Sequence, residues 1–253
     1  MNHVAAAPIL GVRISAITYK DALRETERWI VERKRSYVCV AATHLVMECQ
    51  KDERLRQGVN RAGLVTPDGM PLVWLSHVSG YKNVERVYGP SLMLKTCRLA
   101  EKNGYKVFLL GGSSGQSGQL RQELKKKLPG LRVAGNHDTP ARPIPEKDNA
   151  VIVKKINQSG AQVVFVGMGC PTQELWMIHN RKHLVAPVLI GVGAAFDFFT
   201  AKTPQAPPWM QNRGFEWLFR FLQEPRRLAH RYVILNTKFM FFVIKQLIRD
   251  FLT

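Results

Sequence analysis

Lys106-Val107-Phe108-Leu109-Leu110-Gly111-Gly112-Ser113-Ser114-Gly115 decides the fold. A short apolar run of strand character ends in a glycine-rich loop, and from Gly115 to Leu128 apolar residues recur at helical spacing. The run thus predicts a strand, a tight loop and a helix, in that order. Outward from it the pattern repeats. Tyr37 to Ala42, Gln162 to Gly167 and Pro187 to Val192 read as buried strands, as does Lys106 to Leu110 itself. Asp21 to Arg33, Leu45 to Gln57, Ser91 to Asn103 and Lys147 to Ser159 read as amphipathic helices between them. The alternation predicts an α/β fold, a Rossmann-like and mostly parallel sheet flanked by helices. Pro67-Asp68-Gly69, Pro129-Gly130 and Gly169-Cys170-Pro171 punctuate it with turns. Open sheets of this kind bind ligands at the carboxyl ends of their strands, so chemistry is sought at these junctions.

The 253 residues, 45% of them hydrophobic, suffice for one sizeable core. Lys and Arg outnumber Asp and Glu by 37 to 19, a formal charge of +18 that calls for an anionic partner: nucleic acid, an acidic membrane or a phosphorylated substrate. Cys39, Cys49, Cys97 and Cys170 form no CxxC pair and read as reduced thiols. Met1 to Ile9 lacks the apolar core of a secretion signal, which suggests a protein held on the cytoplasmic side. Near the C-terminus the longest apolar run, Phe239 to Ile244, is far short of the roughly 20 residues that span a bilayer.

Five junctions offer candidate chemistry. Asp68, in a Pro/Gly-framed turn, suits a general base, or else an N-cap for a helix starting near Met70. Arg86 precedes a helix whose first turn holds Ser91, so it can meet phosphate, or pair with Glu85 on the surface. The loop from Gly111 to Gly115 can bring backbone N–H groups to a nucleotide, or serve only as a tight turn; it matches neither GxGxxG nor the P-loop. Gln173, in the first turn of a helix opened by Pro171, can bond a sugar hydroxyl or a uracil edge, whereas Glu174 beside it suits the helix dipole. Asp197, after Gly191-Val192-Gly193, reads as a cap in a closely packed turn. No Asp-x-Asp occurs, so metal-independent chemistry with arginine in place of a cation is expected, with no cofactor.

From Pro207 onward eight basic residues face three acidic ones, interleaved with Phe215, Trp217, Phe219, Phe221, Tyr232, Phe239, Phe241 and Phe242. Such a basic amphipathic helical appendage suits an anionic lipid interface; the alternative is packing on the core or on another subunit. Nucleic acid ranks behind both, because the apolar residues are too many and too bulky for a phosphate-tracking face.

Taken together, Thr66-Pro67-Asp68-Gly69-Met70-Pro71, Glu85-Arg86-Val87-Tyr88-Gly89, Gly167-Met168-Gly169-Cys170-Pro171-Thr172-Gln173-Glu174, Gly191-Val192-Gly193-Ala194-Ala195-Phe196-Asp197 and Glu216-Trp217-Leu218-Phe219-Arg220, followed by Gln223-Glu224-Pro225-Arg226-Arg227, resemble the WecG/TagA/CpsF glycosyltransferases over nearly the whole chain. The resemblance implies an inverting transferase that moves a hexose (N-acetylmannosamine, its uronic acid or glucose) from a UDP-sugar donor to an undecaprenyl-diphosphate-linked saccharide in cell-surface polysaccharide assembly. It implies Asp68 as the base, Arg86 and Gln173 as donor contacts, and Arg213, Arg220 and Arg227 folding over the diphosphate. The Pro-, Ala- and Lys-rich stretch from Thr200 to Pro208 reads as a connector and divides the chain into a catalytic α/β domain, 1–205, and a membrane-associating appendage, 206–253, expected at the cytoplasmic face of a bacterial inner membrane. One position departs from the pattern: relatives carry Asn where this chain has Ala42, so Thr43 or His44 is expected to supply the missing polar contact, and a His there resembles the exopolysaccharide branch. A non-enzymatic nucleotide-binding module that docks on the membrane or on an assembly complex is the competing reading. Whether the protein acts as monomer or homo-oligomer is left open.

Overall fold

The computed structural model describes residues 4–140, 144–207, 209–210, 213–223, 225–226 and 234–252. It opens with a hairpin, β1 (Ala6–Ile9) and β2 (Val12–Ser15), followed by α1 (Tyr19–Val31), β3 (Ser36–Ala41), α2 (Thr43–Lys51), α3 (Glu53–Asn60) and β4 (Leu64–Pro67). The middle of the chain forms α4 (Met70–Val78), α5 (Gly89–Asn103), β5 (Lys106–Gly111), α6 (Gln116–Lys127), β6 (Arg132–His137) and α7 (Glu146–Ser159). β7 (Val163–Gly167), α8 (Thr172–Asn180), β8 (Val188–Gly191), α9 (Ala195–Phe199), α10 (Glu216–Gln223) and α11 (Asn236–Leu252) complete it.

Six strands form one sheet in the order β4-β3-β8-β7-β5-β6, and every pairing in it is parallel. Parallel strands need a crossover connection, which puts a helical layer on each face and apolar residues on both sides of each strand. The strands show this residue by residue. Tyr37, Cys39, Phe108, Leu110, Val164, Val166 and Leu189 pack into one core with α2, α3, α7 and α8. Val38, Val107, Leu109, Val163, Phe165, Val188 and Ile190 pack into the other with α1, α5, α6 and α9.

The predicted helix from Leu45 to Gln57 is two helices. Asp52 breaks it with an extended backbone (φ −132°, ψ 105°), ending α2 and capping α3 by accepting from the N–H groups of Arg54 and Leu55. A short acid that satisfies orphan N–H groups outweighs the unbroken apolar spacing. Four strands outside the predicted set, β1, β2, β4 and β6, lie off the sheet or at its edges.

At the C-terminus, α11 is docked. Phe239 and Val243, four residues apart and almost fully buried, join the first core. Gln246, one turn on, accepts from the Leu10 N–H and donates to the Pro8 carbonyl, clamping the hairpin turn. Phe241, Ile244 and Ile248 on the same helix remain exposed. No helix among the described residues is long and apolar enough to cross a membrane.

Candidate active site

A cleft of about 450 Å³ opens where the sheet presents its carboxyl ends. Five of the strands deliver their next residues to it: Ala42 and His44 after β3, Asp68 after β4, Gly112 and Ser113 after β5, Met168 and Cys170 after β7, and Val192 and Gly193 after β8. The volume suits a small organic ligand. Backbone reaches the cleft without side chains in the way because Gly111 (φ +129°) lies against β7: a Cβ there would stand 2.4 Å from the Gly167 carbonyl oxygen. Only glycine fits that approach. A second cavity of about 120 Å³ adjoins, lined by Thr43, Arg86, Glu216 and Trp217 among others; Ala42, Asp68, Tyr88 and Arg220 border both.

Asp68 stands at this shared wall. Its N–H donates to the Ala41 carbonyl at 2.8 Å, which extends the β4–β3 pairing by one residue and fixes the turn. Gly69 rather than Asp68 is the N-cap of α4, and no side chain caps that helix. Arg86 supports Asp68 from the far side: Nε donates to the Asp68 carbonyl at 2.5 Å, and Nη2 lies 3.5 Å from Asp68 Oδ1 and 2.5 Å from Glu216 Oε2. The guanidinium also stacks 4.5 Å from the Tyr88 ring. Burial works against the Arg86 charge, but the carboxylates of Asp68 and Glu216 overcome it and hold the guanidinium more firmly protonated than usual. Burial likewise pushes the Tyr88 phenol up, with Glu216 adding to it. Glu85 is not the partner of Arg86; its carboxylate accepts from the Tyr19 N–H instead.

At the floor of the cleft Gln173 is almost fully buried. Its Oε1 accepts from the Gly193 N–H at 3.0 Å and its Nε2 donates to Glu174 Oε1 at 2.8 Å, so the amide holds the β8 loop against α8. Burial raises the Glu174 carboxyl to about 7, against the opposing hydrogen bond from Gln173. Within the same cleft, the Lys202 ammonium donates to Ser113 Oγ and lies 3.3 Å from Gln116 Oε1, while Gln116 Nε2 donates to Asp197 Oδ1 at 2.8 Å.

The sequence profile of the glycosyl transferase WecG/TagA/CpsF family matches residues 7–251. The chain belongs to this family. Among its relatives, the N-acetylglucosaminyldiphosphoundecaprenol N-acetyl-beta-D-mannosaminyltransferase of Bacillus spizizenii is 27% identical over 200 residues, covering 79% of this chain and 76% of that one. The enzyme of the same name from Staphylococcus aureus strain MW2 is 24% identical over 230 residues, covering 90% and 89%.

The residues singled out in this WecG/TagA/CpsF chain separate by position. Asp68, His44, Gln173 and Arg220 line the larger cleft; Asp68, Thr43, Arg86 and Arg220 line the smaller. Thr43 Oγ1 donates to Asn236 Oδ1 at 2.9 Å, tying α2 to α11, and His44 Nε2 lies 3.4 Å from Glu48 Oε1. Arg220 places its guanidinium 5.5 Å from the Phe198 ring. Arg213 is exposed and lines neither cavity. Arg227 lies outside the described residues. Sequence reasoning gave no role to Lys202, Gln116, Tyr88 or Glu216. Gln116 carried one usable signal, its place in the first turn after the glycine loop, and Glu216 another, its place in a quoted motif.

Proposed function

We propose that this chain is a metal-independent inverting hexosyltransferase that moves a sugar from a UDP-sugar to an undecaprenyl-diphosphate-linked saccharide. One observation carries the reading: the Asp68 carboxylate stands on the wall shared by a nucleotide-sized cleft and a smaller cavity beneath α10. A donor in the larger space and an acceptor hydroxyl in the smaller would meet at this group. Asp68 takes the hydroxyl proton; the alcohol oxygen attacks the anomeric carbon from the face opposite the diphosphate; and the sugar–phosphate bond breaks with its electron pair leaving on UDP. A carboxylate can accept that proton at neutral pH without a raised pKa.

Charge left on the diphosphate needs cations. Among the described residues no three His, Cys, Asp or Glu side chains gather as a metal would require, and the proposal gives the task to Arg220, with Lys202 across the larger cleft. Arg86, turned toward Asp68 and Glu216, is assigned to orienting the base. Gln173 is assigned to holding the Gly193 loop under the donor. His44 and Thr43, next to Ala42, are assigned to contacting the donor or the acceptor. Residues 206–253 are proposed to rest on the anionic cytoplasmic leaflet of a bacterial inner membrane, where each basic residue near the surface adds about 1 kcal/mol. The lipid-borne acceptor would be presented there.

N-acetylmannosamine, the sugar in the names of both relatives, leads the donor candidates, ahead of its uronic acid and glucose. The test is a screen of UDP-sugars with a short-chain lipid-diphosphate N-acetylglucosamine acceptor, with and without chelator. Transfer from one UDP-hexose at a rate that chelator leaves unchanged is expected. UDP binding without transfer from any donor would favour the nucleotide-binding module instead.

A further inference from the structure

We propose that Glu216, the first residue of α10, is a positioning residue for sugar transfer: it holds one side of the Arg86 guanidinium, and its charge keeps Asp68 a competent base. The proposal rests on the reading of Asp68 given above.

The geometry is asymmetric in an informative way. One guanidinium lies between two carboxylates, yet its Nη2 is 2.5 Å from Glu216 and 3.5 Å from the Asp68 carboxylate. Asp68 is anchored chiefly through its main-chain carbonyl, on Arg86 Nε at 2.5 Å. Arginine thus fixes where Asp68 sits and holds its carboxylate more loosely than it holds that of Glu216. A bidentate pair of Arg86 with Asp68 would stabilise the carboxylate and weaken it as a base. Glu216 prevents that by occupying the guanidinium. Burial agrees: the Glu216 side chain is 9% exposed and that of Asp68 24%, so the enclosed acid binds the cation and the other faces the cavities. The Glu216 carboxylate also meets the Tyr88 hydroxyl, and Tyr88 stacks on Arg86, so the cluster is closed on that side.

The contact spans 130 residues and is made from the C-terminal segment. Gly214 (φ +79°) lets that segment approach: a Cβ there would meet Met70 of α4 at about 3.1 Å. A helix-dipole role for Glu216 at the start of α10 would need neither the burial nor the aim at Arg86.

Charge is what separates a positioning role from simple adhesion. The titratable and charged groups that face Asp68 are Tyr19 from α1, His44 from α2, Arg86 and Tyr88 from the segment leading into α5, and Glu216 and Arg220 from α10; Asp197 and Lys202 line the larger cleft as well. Glu216→Gln changes one of these charges and keeps the shape. With the negative charge gone, Asp68 takes a larger share of the pairing with Arg86, and the base becomes weaker.

The experiment measures transfer from UDP-N-acetylmannosamine to the short lipid-diphosphate acceptor across pH, using the full chain and the Glu216→Gln and Glu216→Asp variants. For Glu216→Gln, kcat should fall roughly tenfold or more with KM for the donor within about twofold, and the acid limb of the kcat profile should move down by about half a pH unit or more. Glu216→Asp, which keeps the charge, should leave that limb at its wild-type position and supplies the readout if the Gln variant does not fold. Wild-type turnover by Glu216→Gln, a loss of rate with the limb unmoved, or a displaced limb in Glu216→Asp would each overturn the proposal. Asp68→Asn run alongside separates the two readings. Its inactivity with no limb shift in Glu216→Gln removes the Glu216 proposal alone, whereas wild-type turnover by Asp68→Asn removes the base reading and this proposal with it.

Discussion

Glu174 shows how a single buried acid marks the floor of this cleft. It is fully enclosed at the start of α8, accepts from Gln173, and has its carboxyl raised by burial to about 7 from an ordinary 4.5. Between those two values the unfolded chain has released a proton that the folded chain keeps. Stability therefore falls as pH rises through this window and levels off above it. At full extent the effect is on the order of 3 kcal/mol. Glu174→Gln retains an oxygen for Gln173 and has no proton to lose. Its melting temperature should match wild type near pH 5 and exceed it by pH 8, measured by thermal unfolding across that range. Parallel curves for the two proteins would contradict the assignment. Asp68, by contrast, borders both cavities and is held at its backbone. The two acids do different work because one is enclosed and the other faces open space.

At the level of elements, α11 tests whether the C-terminal segment is an attached part of the fold. Phe239 is 1% exposed and packs with Val243 into the core beneath α2. Truncating a buried phenylalanine costs about 3–5 kcal/mol. Phe239→Ala should lower the melting temperature and raise amide exchange along α11 and the β1–β2 hairpin that Gln246 clamps. Unchanged protection in the hairpin would show that α11 does not hold it. The same elements show what a sequence can and cannot display. β3, β5, β7 and β8 were legible because strands with neighbours on both sides and helices on both faces must be apolar throughout. β6 was not, since this edge strand reads Arg132-Val133-Ala134-Gly135-Asn136-His137 and is half solvated. The break between α2 and α3 was hidden because Asp52 interrupts the helical hydrogen bonds without interrupting the apolar spacing. Gly111, Asp68 and Gln173 announced themselves through turn chemistry. Glu216 did not, because its role depends on a partner 130 residues away that only the folded chain brings near.

For the molecule as a whole, the parallel sheet sends every central loop to one end, and the C-terminal segment closes that end with Glu216 and Arg220. Of the tail arginines considered, Arg220 reaches the cavities and Arg213 stays in solvent. The chain carries a net charge of +18 and leaves Phe241, Ile244 and Ile248 of its docked last helix exposed, the two features on which the proposed contact with an anionic, apolar surface rests. In the proposed reaction that surface is the membrane that carries the acceptor, and the site is completed by the part of the chain that touches it. All of this converges on the shared wall between the two cavities. The most direct measurement is therefore sugar transfer by Asp68→Asn, set beside its affinity for UDP by calorimetry. Loss of transfer by roughly a hundredfold or more, with UDP bound within about twofold of wild type, is the result expected of a proton acceptor that does not hold the donor. Transfer at the wild-type rate would contradict it.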